Sequence, residues 1–257
     1  MKICVLVKQV PSSDALIKLN SDSTWIKEDT VVFAINESDS FALEEALQIK
    51  EQTGEGEVVV VSLGPDRAQR AIREALAKGA DRGIRIKESF PYSSDPFEIA
   101  SLFAAAIKDD NFDLILSGLQ SDDLGSGQTG VILGELLGMS TATLVIETEL
   151  SGESIRVKRE LESGWFQWVA MTLPASITIQ SGINSPRYAS LRGIMSAKKK
   201  EIRLIEKNDL SGSIPSLQSI EHVYLPQKTK RTEMITGSID QVVDKLSEIL
   251  KRNIKIL

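Results

Sequence analysis

Cysteine and histidine are nearly absent from this 257-residue chain, which has one of each, Cys4 and His222. A lone cysteine excludes a disulfide framework, and the two together exclude the His/Cys spacing of a zinc site. Cys4 sits inside an apolar run and reads as a small core residue rather than a reactive thiol. His222 is not part of any recognisable Ser-His-Asp arrangement. Aromatic residues make up only 5% of the chain, and no apolar run is long enough to span a membrane. Positive charge is not in excess: 30 Lys and Arg face 36 Asp and Glu, a net charge of −6 with both signs mixed. A general affinity for nucleic acid is therefore not expected. The opening MKICVLVKQVP is a lysine followed by a strand, too short in its apolar part for a signal peptide and unlike an Arg/Ser-rich transit sequence. The expected location is cytoplasmic. The phosphate-loop lysine motif and the dinucleotide fingerprint are also missing.

What is present is an alternation of strands and helices in the first 138 residues, at 42% hydrophobic composition overall. Lys2 to Val7 is a continuous apolar strand, as expected when both faces are buried. Asn36 to Gln52 reads as a helix, with Asn36 as N-cap, Asp39 in the first turn and Gly54 just past the end. Val58 to Leu63 is a second strand, and Pro65 opens a helix with Ala68, Ala71, Ile72, Ala75 and Leu76 on its apolar stripe. Arg82 to Ile86 and Leu114 to Ser117 are further strands. Between them a helix begins at the cap Asp95-Pro96. Strands and helices alternating at these lengths imply right-handed crossovers and a parallel sheet.

The richest stretch is Ser117 to Gly130, SGLQSDDLGSGQTG, between the fourth strand and a helix over Val131 to Leu137 that ends at Gly138. A loop of small residues at a helix N-terminus suits an anion, because free N–H groups and the helix dipole both favour negative charge. Ligands of open parallel sheets bind beyond the carboxyl ends of the strands. The loops at Lys8 to Ser13, Ser62 to Pro65 and Gly118 to Thr129 lie there, with the helix start at Asn36. No constellation of catalytic side chains or of metal ligands appears. Asp122-Asp123 is a candidate acid/base pair, but adjacent residues rarely converge on one substrate atom. It equally suits orienting a ribose or capping the loop.

After Gly138 the texture changes. Thr141 to Ile146, Ser154 to Leu161, Trp165 to Thr172 and Ala175 to Ile179 are strand-like without intervening helices, and are expected to extend the sheet with antiparallel strands. Trp165, Phe166 and Trp168 are expected on both faces of one strand, one face in the core and the other free for a partner. Lys198-Lys199-Lys200 reads as a solvated charge run, and Asn208 to Gln227 as a polar extended arm. Ile239 to Leu250 is a final amphipathic helix with Val242, Val243, Leu246, Ile249 and Leu250 on one side. These features divide the chain into a nucleotide-binding α/β domain, residues 1–207, and a C-terminal arm and helix, residues 208–257.

VLVKQVP at 5–11, ALEEAL at 42–47, VVSLGPDRAQRAIREALAKGADRGI at 60–84, QTG at 128–130 and NSPRYASLRGIMSAKKK at 184–200, in this order, resemble the electron transfer flavoprotein β-subunit family over essentially the whole chain. Val157, Arg159, Glu162, Gly164, Gln167, Val169 and Pro174 fit a looser family signature, from which Ser163 and Ser176 depart. The resemblance implies a Rossmann-like fold of the adenine nucleotide α-hydrolase-like type: a parallel sheet with helices on both faces, antiparallel strands and a C-terminal arm that docks on an α-subunit. It implies an electron carrier without catalytic residues of its own. Electrons would pass from flavin dehydrogenases, such as acyl-CoA dehydrogenases, through an FAD held mainly by the α-subunit to an acceptor such as a quinone oxidoreductase.

The resemblance also implies bound AMP, or a second FAD in electron-bifurcating relatives. The contacts it implies are Leu6, Asn36, Glu37, Ser38, Asp39 and Leu63, together with Gly118, Leu119, Gln120, Ser121, Asp122, Asp123, Leu124, Gly125, Ser126, Gly127, Gln128 and Thr129. Bifurcating relatives carry Asp-Gly-Asp-Thr and then Val-Gly-Pro, whereas Gln128-Thr129-Gly130 resembles the AMP type. Asn184, Pro186, Arg187, Tyr188 and Leu191 fall in the family's partner-recognition loop, with Leu191 as the inserting leucine and Arg192 where a proline is common. A rival reading is a stand-alone adenine-nucleotide-binding module, which the fold alone permits. A second rival, a hydrolase or ligase, would need an acid, a metal site or a phosphate-loop lysine.

Overall fold

The computed structural model describes residues 1–210, 214–226 and 232–254. Its contacts divide the chain into two units, residues 1–223 and 224–257. The first unit is built on a nine-stranded sheet. In chain order its strands are β1 (Lys2–Leu6), β4 (Glu57–Gly64), β5 (Arg82–Lys87), β6 (Leu114–Gly118), β7 (Ser140–Ser151), β8 (Ser154–Glu160), β9 (Phe166–Thr172), β10 (Ala175–Ile179) and β11 (Ile202–Glu206). A separate pair, β2 (Gln9–Pro11) and β3 (Phe33–Ile35), is antiparallel. The order across the large sheet is β11-β5-β4-β1-β6-β10-β7-β8-β9. Every pairing from β11 to β7 is parallel, and only β7-β8 and β8-β9 are antiparallel.

Val58 to Val61 are fully buried, as are Ile3 to Val5 and Leu114 to Leu116. Such strands need apolar cover on both faces. Odd-numbered β1 residues pack beneath helices α1 (Glu37–Thr53) and α2 (Gln69–Lys78), and Cys4 and Leu6 beneath α3 (Pro96–Ile107) and α4 (Thr129–Leu136). Burial pushes the Cys4 thiol well above its ordinary pKa, in keeping with an inert core residue. The α3 start is as expected, with Asp95 accepting the Phe97 N–H at 2.8 Å ahead of Pro96.

Several expectations need correction. Pro65 leads into a short 3₁₀ turn, Asp66–Ala68, and the α-helix begins only at Gln69. Ala175 to Ile179 does not extend the sheet antiparallel to its neighbours. It inserts between β6 and β7, parallel to both, because its alternate faces must both be buried and its five residues all are. Trp165 lies just before β9, and Phe166 and Trp168 share one face of it. All three rings are exposed rather than split between core and surface, and Arg156 and Lys158 lie over the Trp168 and Phe166 rings at 4.8 and 4.9 Å. Lys200 is not a solvated charge: it donates to the Leu76 and Ala80 carbonyls at the end of α2. The strand β11 and the helix α5 (Leu191–Ala197) were not legible as elements.

In the second unit, α7 (Ile239–Ile249) starts with a reciprocal capping box between Ser238 and Gln241. Ile239, Val243 and Leu246 are exposed on it. The short α6 (Lys207–Leu210) belongs to the first unit and ends where residues 211–213, part of the expected arm, leave the described structure, as do 227–231. Among the described residues no helix is long and apolar enough to cross a membrane.

Helix α4 lies so close to the sheet that a Cβ on Gly134 would overlap the Thr141 methyl and stand 2.8 Å from the Ser176 Cβ. Ser176 donates to the Gly130 carbonyl at 2.9 Å and keeps that interface narrow. Gly134→Ala is expected to destabilise the chain by about 1–3 kcal/mol despite a helix-propensity gain of about 1 kcal/mol. Urea unfolding checks this, and a raised midpoint would show that the contact relaxes freely.

Candidate functional site

Chain direction reverses beside β1. Crossovers from β1 lead outward through β4 to β5, and the next, through α3, returns to β6 on the other side of β1. The carboxyl ends of strands diverge at such a switch point and leave a crevice. A cleft of about 1160 Å³, counted out to its open mouth, occupies that place. Leu6, Leu63, Ile99 and Phe103 supply apolar wall, and the loop from Gly118 into α4 supplies most of the polar wall.

The helix α1 start is brought to the cleft by the small β2-β3 pair, which returns the chain from a 21-residue excursion (12–32) to the end of β1. The Asn36 N–H donates to the Lys8 carbonyl at 2.9 Å. The Asn36 side chain does not cap its own helix. It donates to Ser38 Oγ and the Gln120 carbonyl, both at 2.9 Å, and accepts from the Asp122 N–H at 2.9 Å. Ser38 Oγ donates to the same Gln120 carbonyl, and Asp122 accepts the Glu37 N–H. Asp39 accepts the Lys8 N–H at 2.7 Å on one oxygen and the Gly118 N–H at 2.9 Å on the other. A side chain on Gly118 would strike Ser38 and Asp39, so only glycine permits this approach.

These contacts separate the sequence candidates into two groups. Leu6, Asn36, Asp39, Leu63, Gly118, Leu119, Gln120, Ser121, Asp123, Leu124, Ser126, Gly127, Gln128 and Thr129 line the cleft. Glu37, Ser38, Asp122 and Gly125 do not, and the first three are spent on holding the loop to α1. Asp123 pairs with Lys8 Nζ at 2.6 Å and accepts the Leu124 N–H, so the Asp122-Asp123 pair is committed to loop structure rather than poised as acid and base. Gly125 and Gly127 have φ of 66° and 63°, the left-handed region that lets the loop turn its backbone toward α4. Ser117 Oγ lies on the cleft wall, fully buried and without a hydrogen-bond partner.

The cleft has a second end that sequence reasoning missed. Trp25, Arg67 and Tyr92 line it. Arg67 forms a bidentate pair with Glu28 at 2.8 and 2.9 Å, stacks 3.8 Å from the Phe33 ring centroid, and donates to Gln9. Trp25 Nε1 donates to the same Glu28, and the Trp25, Phe90 and Tyr92 rings meet edge to face or tilted. Burial would raise the Glu28 pKa, but Arg67 and Trp25 hold it below its ordinary value. The only signal in sequence was the aromatic and acidic content of an irregular segment, which has no periodicity to read.

Of the recognition-loop candidates, Tyr188 and Leu191 are 97% and 84% exposed, while Asn184, Pro186 and Arg187 are half-buried. Asn184 donates to the Phe41 carbonyl and Glu45, and Arg187 to Glu44 and Glu51, all on α1. Leu191 is the first residue of α5, not part of an open loop.

Asp39 is the one strongly perturbed acid of the cleft. Burial holds its pKa up to about 7, against the Lys8 and Gly118 N–H groups that favour the ionised form. The folded value lies above the ordinary 3.8, so the stabilisation from holding the proton is complete below 3.8 and is lost as pH rises through about 7. The stability difference between wild type and Asp39→Asn is therefore expected to shrink steadily from about pH 4 to about pH 7. Urea titrations across that range measure it, and a constant difference would show that Asp39 is ionised throughout.

Comparison with known proteins bears on what the cleft serves. The family described as "Electron transfer flavoprotein domain" matches residues 23–210. The chain is 37% identical to the electron transfer flavoprotein subunit beta of Methylophilus methylotrophus, over 97% of this chain and 98% of that one. It is 34% identical to the subunit beta of Bacillus subtilis over the full length of both. It is 35% identical to the human subunit beta over 97% of this chain and 98% of that one.

Proposed function

We propose, from the premise that this chain belongs to the electron transfer flavoprotein β-subunit family, that it is the β half of a soluble heterodimeric electron carrier and holds AMP in the switch-point cleft. The redox chemistry is supplied by an FAD held mainly by the α-subunit; this chain supplies position and a docking surface. Donors are flavin dehydrogenases of the acyl-CoA type, and the acceptor is a quinone oxidoreductase or similar protein.

The observation that carries the AMP reading is the cleft wall itself. Ser117 offers a buried hydroxyl with no partner, beside the small-residue loop that opens α4. A phosphate seated there would meet backbone N–H groups, the helix dipole and the Ser126 and Thr129 hydroxyls. Leu6 and Leu63 offer apolar strand ends to an adenine ring. Ser38 acts on the ligand indirectly, by holding the loop that would contact it, while Asn36 and Asp39 both hold that loop and line the cleft. The longer cleft, reaching Trp25 and Tyr92, is what favours the second reading, a second FAD in the same place.

Nucleotide released by denaturing the purified heterodimer decides between these readings. One FAD and one AMP per heterodimer is the expected result, and two FAD would replace AMP by the second-flavin reading. The chain expressed without its α-subunit is expected to be colourless. The exposed Leu191 is read as an anchor for the dehydrogenase. Leu191→Ala is expected to slow electron transfer from the dehydrogenase while flavin content stays unchanged. An equal loss of flavin would make the residue structural.

A further inference from the structure

We infer that Arg187 is a positioning residue, which holds the Tyr188–Leu191 tip ready for its partner and does not itself contact that partner; this rests on the reading of Leu191 as a docking anchor. In sequence Arg187 looks like a polar neighbour of the anchor. The structure turns it the other way. Its Nε and one terminal nitrogen donate to the two oxygens of Glu44 at 2.8 and 3.0 Å. Its terminal nitrogens donate to the two oxygens of Glu51 at 2.5 and 3.0 Å. The Arg187 backbone N–H adds a further bond to Glu44 at 3.1 Å. Four of the five N–H groups that a guanidinium can offer are thus used within the chain.

Glu44 and Glu51 are seven residues apart, two helical turns, so both carboxylates stand on one face of α1. The Glu44 side chain is only 5% exposed. Burial would raise its pKa, and Arg187 and Gln48 hold it below the ordinary value instead. A buried carboxylate of this kind must keep its partner, so Arg187 is held firmly in place. One turn away, Asn184 is fixed to Glu45 and to the Phe41 carbonyl on the same helix.

The tip is pinned on its other side as well. Ser190 accepts the Gly193 N–H and starts α5. Gly193 lets α5 approach α2 so closely that a Cβ would overlap the Ala77 carbonyl. Arg73 of α2 donates to the carbonyls of Ala197 and Lys200. Between these two attachments Ala189 packs against the core, and only Tyr188, Ser190 and the first turn of α5 project. Without the Arg187 clasp Tyr188 and Leu191 would stay exposed but would be ordered only on binding, which weakens association and leaves the later electron transfer untouched.

The experiment uses the intact heterodimer and an acyl-CoA dehydrogenase reduced with its acyl-CoA. Arg187→Ala is expected to raise the dehydrogenase's KM for the heterodimer about tenfold and to leave kcat within about twofold and the flavin content unchanged. Arg187→Lys, a point donor that cannot bridge both carboxylates, is expected to recover part of the loss. Glu51→Gln removes only the exposed acceptor, so it guards against misfolding and is expected to shift KM the same way by less. Hydrogen exchange at residues 186–192 is expected to quicken in the order Gln, Lys, Ala. Unchanged KM in Arg187→Ala, with raised KM in Leu191→Ala, would overturn the positioning role alone. Unchanged KM in Leu191→Ala would overturn the docking reading, and the positioning role with it. Parallel falls in kcat and flavin content would make Arg187 merely structural.

Discussion

One carboxylate holds the organisation of this molecule together. Asp39 takes the backbone N–H of Lys8, just past β1, on one oxygen and that of Gly118, the last residue of β6, on the other. The two strands flank the switch point, and their carboxyl ends would otherwise part with unsatisfied N–H groups. The same first turn of α1 carries Asn36 and Ser38, which bind the Gln120 carbonyl and the Asp122 N–H. The cleft therefore has a definite shape because a helix start is locked between two strands and a loop. The cost is a carboxyl taken out of water, which burial keeps protonated up to about pH 7.

From that junction α1 runs across the sheet to a second set of anchors. Its first turn serves the cleft, and Glu44, Glu45 and Glu51 serve the 184–187 segment. One helix thus supports both the proposed nucleotide site and the proposed docking tip. This explains an unusual feature of α1: Ser38, Asp39, Glu44 and Glu45 are all buried alongside Leu43 and Leu47. In an ordinary amphipathic helix those charges would face water. Here each buried carboxylate has a chain segment to hold.

Much of the fold was legible in the sequence. Continuous runs such as Lys2 to Val7 and Val58 to Leu63 announce strands covered on both faces, and Asp95-Pro96 and Gly138 mark helix ends by local stereochemistry alone. What failed was whatever depends on the neighbour rather than the residue. Ala175 to Ile179 looks the same whether it pairs parallel or antiparallel, and only its tertiary neighbours show it between β6 and β7, parallel to both. Ile202 to Glu206 carries charged Arg203 and Glu206 among three apolar residues and gains its strand conformation from pairing with β5 at the sheet edge. Trp165, Phe166 and Trp168 suggest one face in the core and one free for a partner, yet all three stand exposed on or just before the last strand of the sheet.

The same division runs through the site. By itself the sequence determined an alternating parallel fold, an anion-suited loop between Ser117 and Gly130, and a family likeness carried by the order of short motifs. These are properties of local pattern and spacing, which survive without knowledge of the partners. Only the tertiary structure decided what each polar side chain does. It set Glu37, Ser38 and Asp122 to holding the loop, gave Lys8 to Asp123, brought Trp25, Arg67 and Tyr92 to the far end of the cleft, and turned Arg187 onto α1. A hydrogen bond depends on where its partner lies in space, and these hydrogen-bonded partners are 82 to 143 residues apart, beyond anything that local periodicity records.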